Sequence, residues 1–206
     1  TVGLGVAAFT GSYEIVVPLM AGRAGQRSRI SLLAALLVFT VANLATALSL
    51  TVGFFLVTRV VAGAAAGVYS PLSSAVSAEI VGQQRRGRAV ALVLAGLAVG
   101  TVFGVPVGLA LAQRWGWRAA ILLIVIIGGA ALAGIALRGG ELPAIPASAP
   151  AERLRSIARP KNLLTVTVTL LTGVSSLGLY TYLAVVLSAG SLASHQNMAI
   201  WIWGLG

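Results

Sequence analysis

Cysteine is absent from this 206-residue chain, and so is aspartate; the acids are Glu14, Glu79, Glu141 and Glu152, and the one histidine is His195. Without cysteine there is neither a disulfide framework nor a thiolate metal site, and the redox compartment is left undefined. The chain also lacks a Gly-rich phosphate loop with a lysine, a His/Cys cluster and a Ser-centred nucleophile motif, so no enzyme signature is present. An intramembrane protease would need a Ser–His or paired-Asp arrangement inside apolar segments, and His195 lies outside them. No cofactor or metal is implied. Charge is scarce as well, at 9% of residues, where a soluble domain carries roughly 25%.

Apolar sequence takes the place of charge. Hydrophobic residues make up 58% of the chain and the mean hydropathy is +1.00. They come in runs near the ~20 residues that a membrane-crossing helix needs, at about 2–21, 31–50, 53–77, 89–111, 118–137 and 162–187, with a further run starting near 197. The ~10-residue alternating segments of a membrane β-barrel are missing. The reading is an all-α polytopic membrane protein with about six full spans and a partial seventh. The chain opens at Thr1 without a charged leader and stops at Gly206 within an apolar run, which suggests a fragment with at least one span missing ahead of it.

The net charge of +10 does not point to nucleic acid, because the cations sit between the runs, where topology signals belong. Arg23, Arg27 and Arg29, then Arg85, Arg86 and Arg88, then Arg138, Arg153, Arg155, Arg159 and Lys161 all fall in alternate connections. The other connections hold only Arg114 and Arg118, and Arg59 lies within a run. Positive charge marks the cytoplasmic side, so the first span runs from outside to inside. Trp115, Trp117, Trp201 and Trp203 then all fall at the outer interface, where indoles anchor. Residues 138–161 form the one long polar stretch, with Pro143, Pro146 and Pro150 opposing helix and AERLRSIAR able to form a short basic amphipathic helix. This divides the chain into 1–137, a linker at 138–161, and 162–206.

Residues 95–110 read AGLAVGTVFGVPVGLA. Gly96, Gly100, Gly104 and Gly108 recur every fourth residue and drift only ~40° per step, which makes one slowly turning bare groove. Such grooves let membrane helices pack backbone to backbone, and Pro106 breaks the regular hydrogen bonding near the outer end. The span before it reads TRVVAGAAAGVYSP, with Arg59, Gly63 and Gly67 on one face. An arginine inside a span costs at least ~2.5 kcal/mol unless it meets water, carbonyls or an acid. The alternative, snorkelling to the outer interface about 9 Å away, is set against the glycines on its own face, which favour the bundle interior.

Glu14 is the one acid within a span and is a functional candidate on that ground, with Thr10, Ser12 and Tyr13 as possible partners. Its depth differs from that of Arg59 by ~10 Å, so no ion pair between them is expected. Tyr180 and Tyr182 face ~200° apart, so at most one lines a cavity. Asn43 reads as an interhelical hydrogen bonder, and His195 as a solvated loop residue.

R-xxx-G-xxx-G in one span, then G-xxx-G-V-P-V-G and GWR, resembles the fourth and fifth helices of the major facilitator superfamily, in particular drug:proton antiporters of the chloramphenicol and arabinose efflux type. PLMAGRAGQRSRISLL at 18–33 is similar to that family's cytoplasmic loop after helix 2, and LYTYLA at 179–184 to the outer half of helix 7. The chain would then cover helices 2 to the start of 8. The resemblance implies an antiporter-motif role for Gly96, Gly100, Gly104, Pro106 and Gly108. It implies proton-coupling or cavity roles for Arg59, Glu14, Tyr180 and Tyr182, and gating roles for Arg27 and Arg29. The acid that usually precedes the loop's basic residues is missing; Gly25 and Gln26 stand there. The implied function is secondary active efflux of small amphipathic drug-like compounds across the cell membrane, driven by protons. The alternatives are a sugar or metabolite permease of the same fold, or a truncated remnant that transports nothing.

Overall fold

The computed structural model describes residues 2–20, 24–138, 140, 142–145, 155 and 159–188. The predicted seventh run, His195, Trp201, Trp203 and most of the 151–159 amphipathic stretch lie outside the described residues. The chain separates into two compact units, Thr1–Ala147 and Ser148–Gly206.

In the first unit the order is α1 (Val2–Met20), a 3-10 turn (Ala24–Arg27), α2 (Ser28–Ala47), α3 (Val52–Ile80), a second 3-10 turn (Gln83–Arg85), α4 (Arg86–Val99), a π-helical turn (Gly100–Gly104), α5 (Val105–Trp115) and α6 (Trp117–Arg138). Among the described residues, Gly25–Ala47, Val52–Ile80, Gln83–Trp115 and Trp117–Leu137 are long and apolar enough to cross a membrane. The helices outrun the apolar segments mainly into their charged flanks, as at Arg86 and Arg88, because long cationic side chains can keep a helix in register while reaching water.

Local chemistry sets the breaks. Thr51 sits in extended geometry and its hydroxyl accepts from the Phe54 N–H, which caps α3. Gly82 (φ +70°) turns the chain out of α3, and Gly116 (φ +83°) alone separates α5 from α6. Only glycine takes that conformation without strain, so the W-G-W sequence bends where it does because of Gly116. Pro71 lies inside α3 without ending it, as neighbouring helices in a membrane bundle allow.

α3 is the centre of the unit. It packs against α1 on one side and α2 on the other; α2 also packs on α6, and α6 on α5. The contact surface mixes small and aliphatic residues with buried polar ones. The largest fully buried side chains are polar, Asn43, Thr46 and Ser28, while Leu92 at 76% and Ile126 at 68% exposure point outward. Lipid tails solvate such faces, leaving small residues and hydrogen bonds to hold the helices.

One apolar cluster forms at the Arg-rich end. Leu32, Leu72 and Val76 are buried together, and Tyr69, Leu142 and Ile145 pack around them. Leu142 and Ile145 belong to the stretch that the sequence assigns to a linker; they fold back onto the first unit. In the second unit, α7 (Pro160–Ser188) begins on a proline, which suits the first helical turn. Thr167 and Thr169 donate to the carbonyls four residues back, Leu163 and Thr165.

Candidate functional site

The α1–α3 crossing is built on the glycines that share a face with Arg59. A Cβ at Gly63 would collide with the Phe9 carbonyl oxygen and the Ser12 hydroxyl, and one at Gly67 would lie 2.7 Å from the Tyr13 carbonyl oxygen. Further toward the other end, Gly5 on α1 faces the Phe55 ring of α3, 2.5 Å from where its Cβ would be. Backbone therefore rides on backbone at Gly63 and Gly67, and on an aromatic ring at Gly5. Side chains of any size would force it open.

One turn before Gly63, Arg59 is held from two neighbouring helices. Its Nη1 donates to Asn43 Oδ1 of α2 at 3.0 Å, and its guanidinium carbon lies 4.6 Å from the centroid of the Phe9 ring on α1. A π face and a neutral acceptor thus receive the cation. The guanidinium has further N–H donors beyond the one spent on Asn43.

Arg59 also lines a cavity of about 560 Å³, together with Gly5, Phe55, Trp117, Arg118 and Ile121 among others. Arg118, at the start of α6, donates to the Ser49 carbonyl at 3.0 Å and lies 5.3 Å from the Trp117 ring centroid. Phe55 and Trp117 meet edge to face at 5.9 Å and 89°. The described lining holds two arginines and no acid on an apolar wall. That combination suits an amphipathic guest, with apolar surface for its body and N–H donors for its polar end. The sequence sets Arg118 among the two cations of its side and in the GWR that carries the resemblance, and gives no sign that it lines a cavity.

Glu14 does not join this site. It is exposed on α1, five residues and ~140° on from Phe9. The ion pair seen among the described residues is instead Glu79–Arg86, exposed at the Arg-rich end. Ser12 donates to the Phe9 carbonyl at 2.9 Å. For Tyr180 and Tyr182 the α7 backbone is described, and their side chains lie outside the described residues.

The glycine groove at 96–108 runs along an exposed helix. A Cβ at Gly96, Gly100 or Gly104 would meet nothing within 4 Å among the described residues, and one at Gly108 would only touch Ala120 Cβ at 4.0 Å. Gly100–Gly104 is a π turn, with Pro106 just past it at the start of α5. Proline lacks the N–H that a regular α ladder would use there, and π turns inside helices concentrate at functional sites.

The loop before α2 is a built structure. Ser28 is 2% exposed and its hydroxyl lies 2.8 Å from both the Gly25 and Pro143 carbonyls. Ile145 N–H donates to the Gly25 carbonyl at 2.8 Å, and a Cβ on Gly25 would stand 2.8 Å from the Ile145 oxygen. Arg29 reaches the Ala136 carbonyl at 3.3 Å, whereas Arg27 is exposed. Neither Ser28 nor the 142–145 strap was visible in the sequence.

The family model described as Major Facilitator Superfamily matches residues 1–206. The chain is 31% identical over 129 residues to an uncharacterized MFS-type transporter, YtbD, of Bacillus subtilis, covering 62% of this chain and 33% of that protein. It is 29% identical over 213 aligned positions to a chloramphenicol resistance protein of Streptomyces lividans, covering 100% of this chain and 54% of that protein. The chain thus spans between a third and about half of these relatives. A helical bundle with membrane-length apolar helices, an arginine at a glycine seam, and a whole-length family match lead to one assignment: the chain belongs to the Major Facilitator Superfamily, whose members are multi-pass membrane transporters.

Proposed function

We propose that the protein exports small, amphipathic, drug-like compounds across the cell membrane in exchange for protons. The observation that carries this reading is Arg59, set between Asn43 and Phe9 at the edge of an aromatic-walled cavity. A cation kept from any described acid can alternate between a proton-bearing group and the polar end of a guest. The similarity to a chloramphenicol resistance protein supports efflux as the direction. Transport proceeds by alternating access, two helix bundles rocking about a central site. In this reading the bare Gly96–Gly108 face seals one half of the pathway in one state and parts in the other.

The test is the complete reading frame expressed in a host stripped of its own efflux pumps. Raised chloramphenicol tolerance and lowered accumulation, both abolished by a protonophore, support the proposal. Accumulation unchanged by expression, with the protein present in the membrane, contradicts efflux. Uptake of a sugar without proton dependence would favour a permease.

A further inference from the structure

The groups that hold the Arg59 guanidinium come from other helices, and one of them is itself fixed in orientation. Asn43 is 1% exposed. Its Nδ2 donates to the Phe39 carbonyl at 2.8 Å, four residues back on α2, and its Oδ1 accepts from Arg59 at 3.0 Å. The two ends of the amide are not interchangeable: with the donor end spent on α2 backbone, the acceptor end must point across to α3. One turn on, the seam is pinned again. Thr58 donates to the Phe55 carbonyl at 2.8 Å and so receives the Thr46 hydroxyl, 2.9 Å away. Thr58 adjoins Arg59 on α3, so the register that Thr46 fixes is the register that presents Arg59 to Asn43. The Phe9 ring attracts the guanidinium face without directing its N–H groups. Direction therefore comes from Asn43.

We propose that Asn43 is a positioning residue that aims the Arg59 guanidinium at the cavity edged by Phe55, Trp117 and Arg118. This rests on the reading that Arg59 takes part in transport. A neutral acceptor does this without compensating the charge, which a carboxylate at the same place would do.

The structure supplies the test pair. Thr40 on the same helix donates to the carbonyl four residues back, at 2.8 Å, and a threonine at 43 would do likewise while keeping a lone pair for Arg59. Valine has the same shape without the hydroxyl. In the complete gene product, Asn43→Val should lower chloramphenicol export by about tenfold or more, the scale of one hydrogen bond to a charged group. Asn43→Thr should stay within about threefold of the parent, the long arginine following the shorter acceptor. Equal export by the Thr and Val variants would overturn the proposal. A thermal-unfolding cycle of Asn43→Val with Arg59→Met reads the contact separately, and additive effects there would also overturn it. If instead the cycle is coupled while Arg59→Met exports as the parent does, the role given to Arg59 in transport fails and the positioning role falls with it.

Discussion

The sharpest consequence of the α1–α3 seam is a substitution of one methyl group. In Gly63→Ala the new Cβ would overlap both the Phe9 carbonyl oxygen and the Ser12 hydroxyl. Ser12 can rotate away by giving up its own bond to Phe9. The Phe9 oxygen belongs to helix backbone and cannot move without α1 moving. Relief requires the two helices to separate, loosening the contact at Gly67 as well and disturbing the Phe9 ring beneath Arg59. Overpacking of this kind costs roughly 1–3 kcal/mol; about 2 kcal/mol is a ~30-fold shift in the folding ratio. Gly104→Ala is the matched control, since its Cβ meets nothing within 4 Å among the described residues. Fluorescence-detected thermal unfolding in detergent, on the complete gene product, compares the two. The Gly63→Ala variant should unfold well below the parent, and the Gly104→Ala variant close to it. Equal stability of Gly63→Ala and the parent would refute the close-packed seam.

Other substitutions grade the same logic. Thr46→Val removes one buried interhelical hydrogen bond and should cost only about 0.6 kcal/mol in the same unfolding assay, the usual worth of such bonds in membranes. Gly25→Val places side-chain atoms against the Ile145 backbone and should destabilise by about 1–3 kcal/mol, with protease sensitivity appearing near 142–145. Ser28→Ala, which removes the buried hydroxyl that lies within hydrogen-bond distance of both the Gly25 and Pro143 carbonyls, should cost about 1 kcal/mol by thermal unfolding. Gly104→Leu should abolish chloramphenicol export while the protein still inserts and unfolds at the parent temperature; retained export would remove the sealing role from the glycine face.

The helices were legible because lipid imposes a composition that nothing else in the chain mimics: each of the first six apolar runs is helical to within a few residues of its expected bounds, and four of the described helices are long and apolar enough to cross a membrane. The face shared by Arg59, Gly63 and Gly67 was legible too, since spacing of four is a property of one helix. What no spacing rule carries is which other helix meets that face. Asn43 could be read as an interhelical hydrogen bonder, but not as the partner of Arg59, because the pairing is set by the α2–α3 register. Ser28 and Pro143 lie 115 residues apart, beyond any local pattern. The π turn was also hidden: Pro106 announces an interrupted ladder without saying whether the helix kinks or widens. The groove around it reads as a packing face, yet α4 and α5 leave it bare among the described residues.

The central claim is proton-driven export, and reconstitution tests it most directly. Proteoliposomes holding the complete gene product, loaded with a pH-sensitive dye, would be given radiolabelled chloramphenicol and an imposed pH gradient. Proton-driven export predicts drug movement against its own gradient with protons flowing the opposite way, and loss of both in Arg59→Met. Drug movement that ignores the pH gradient, with no proton flux, would contradict it.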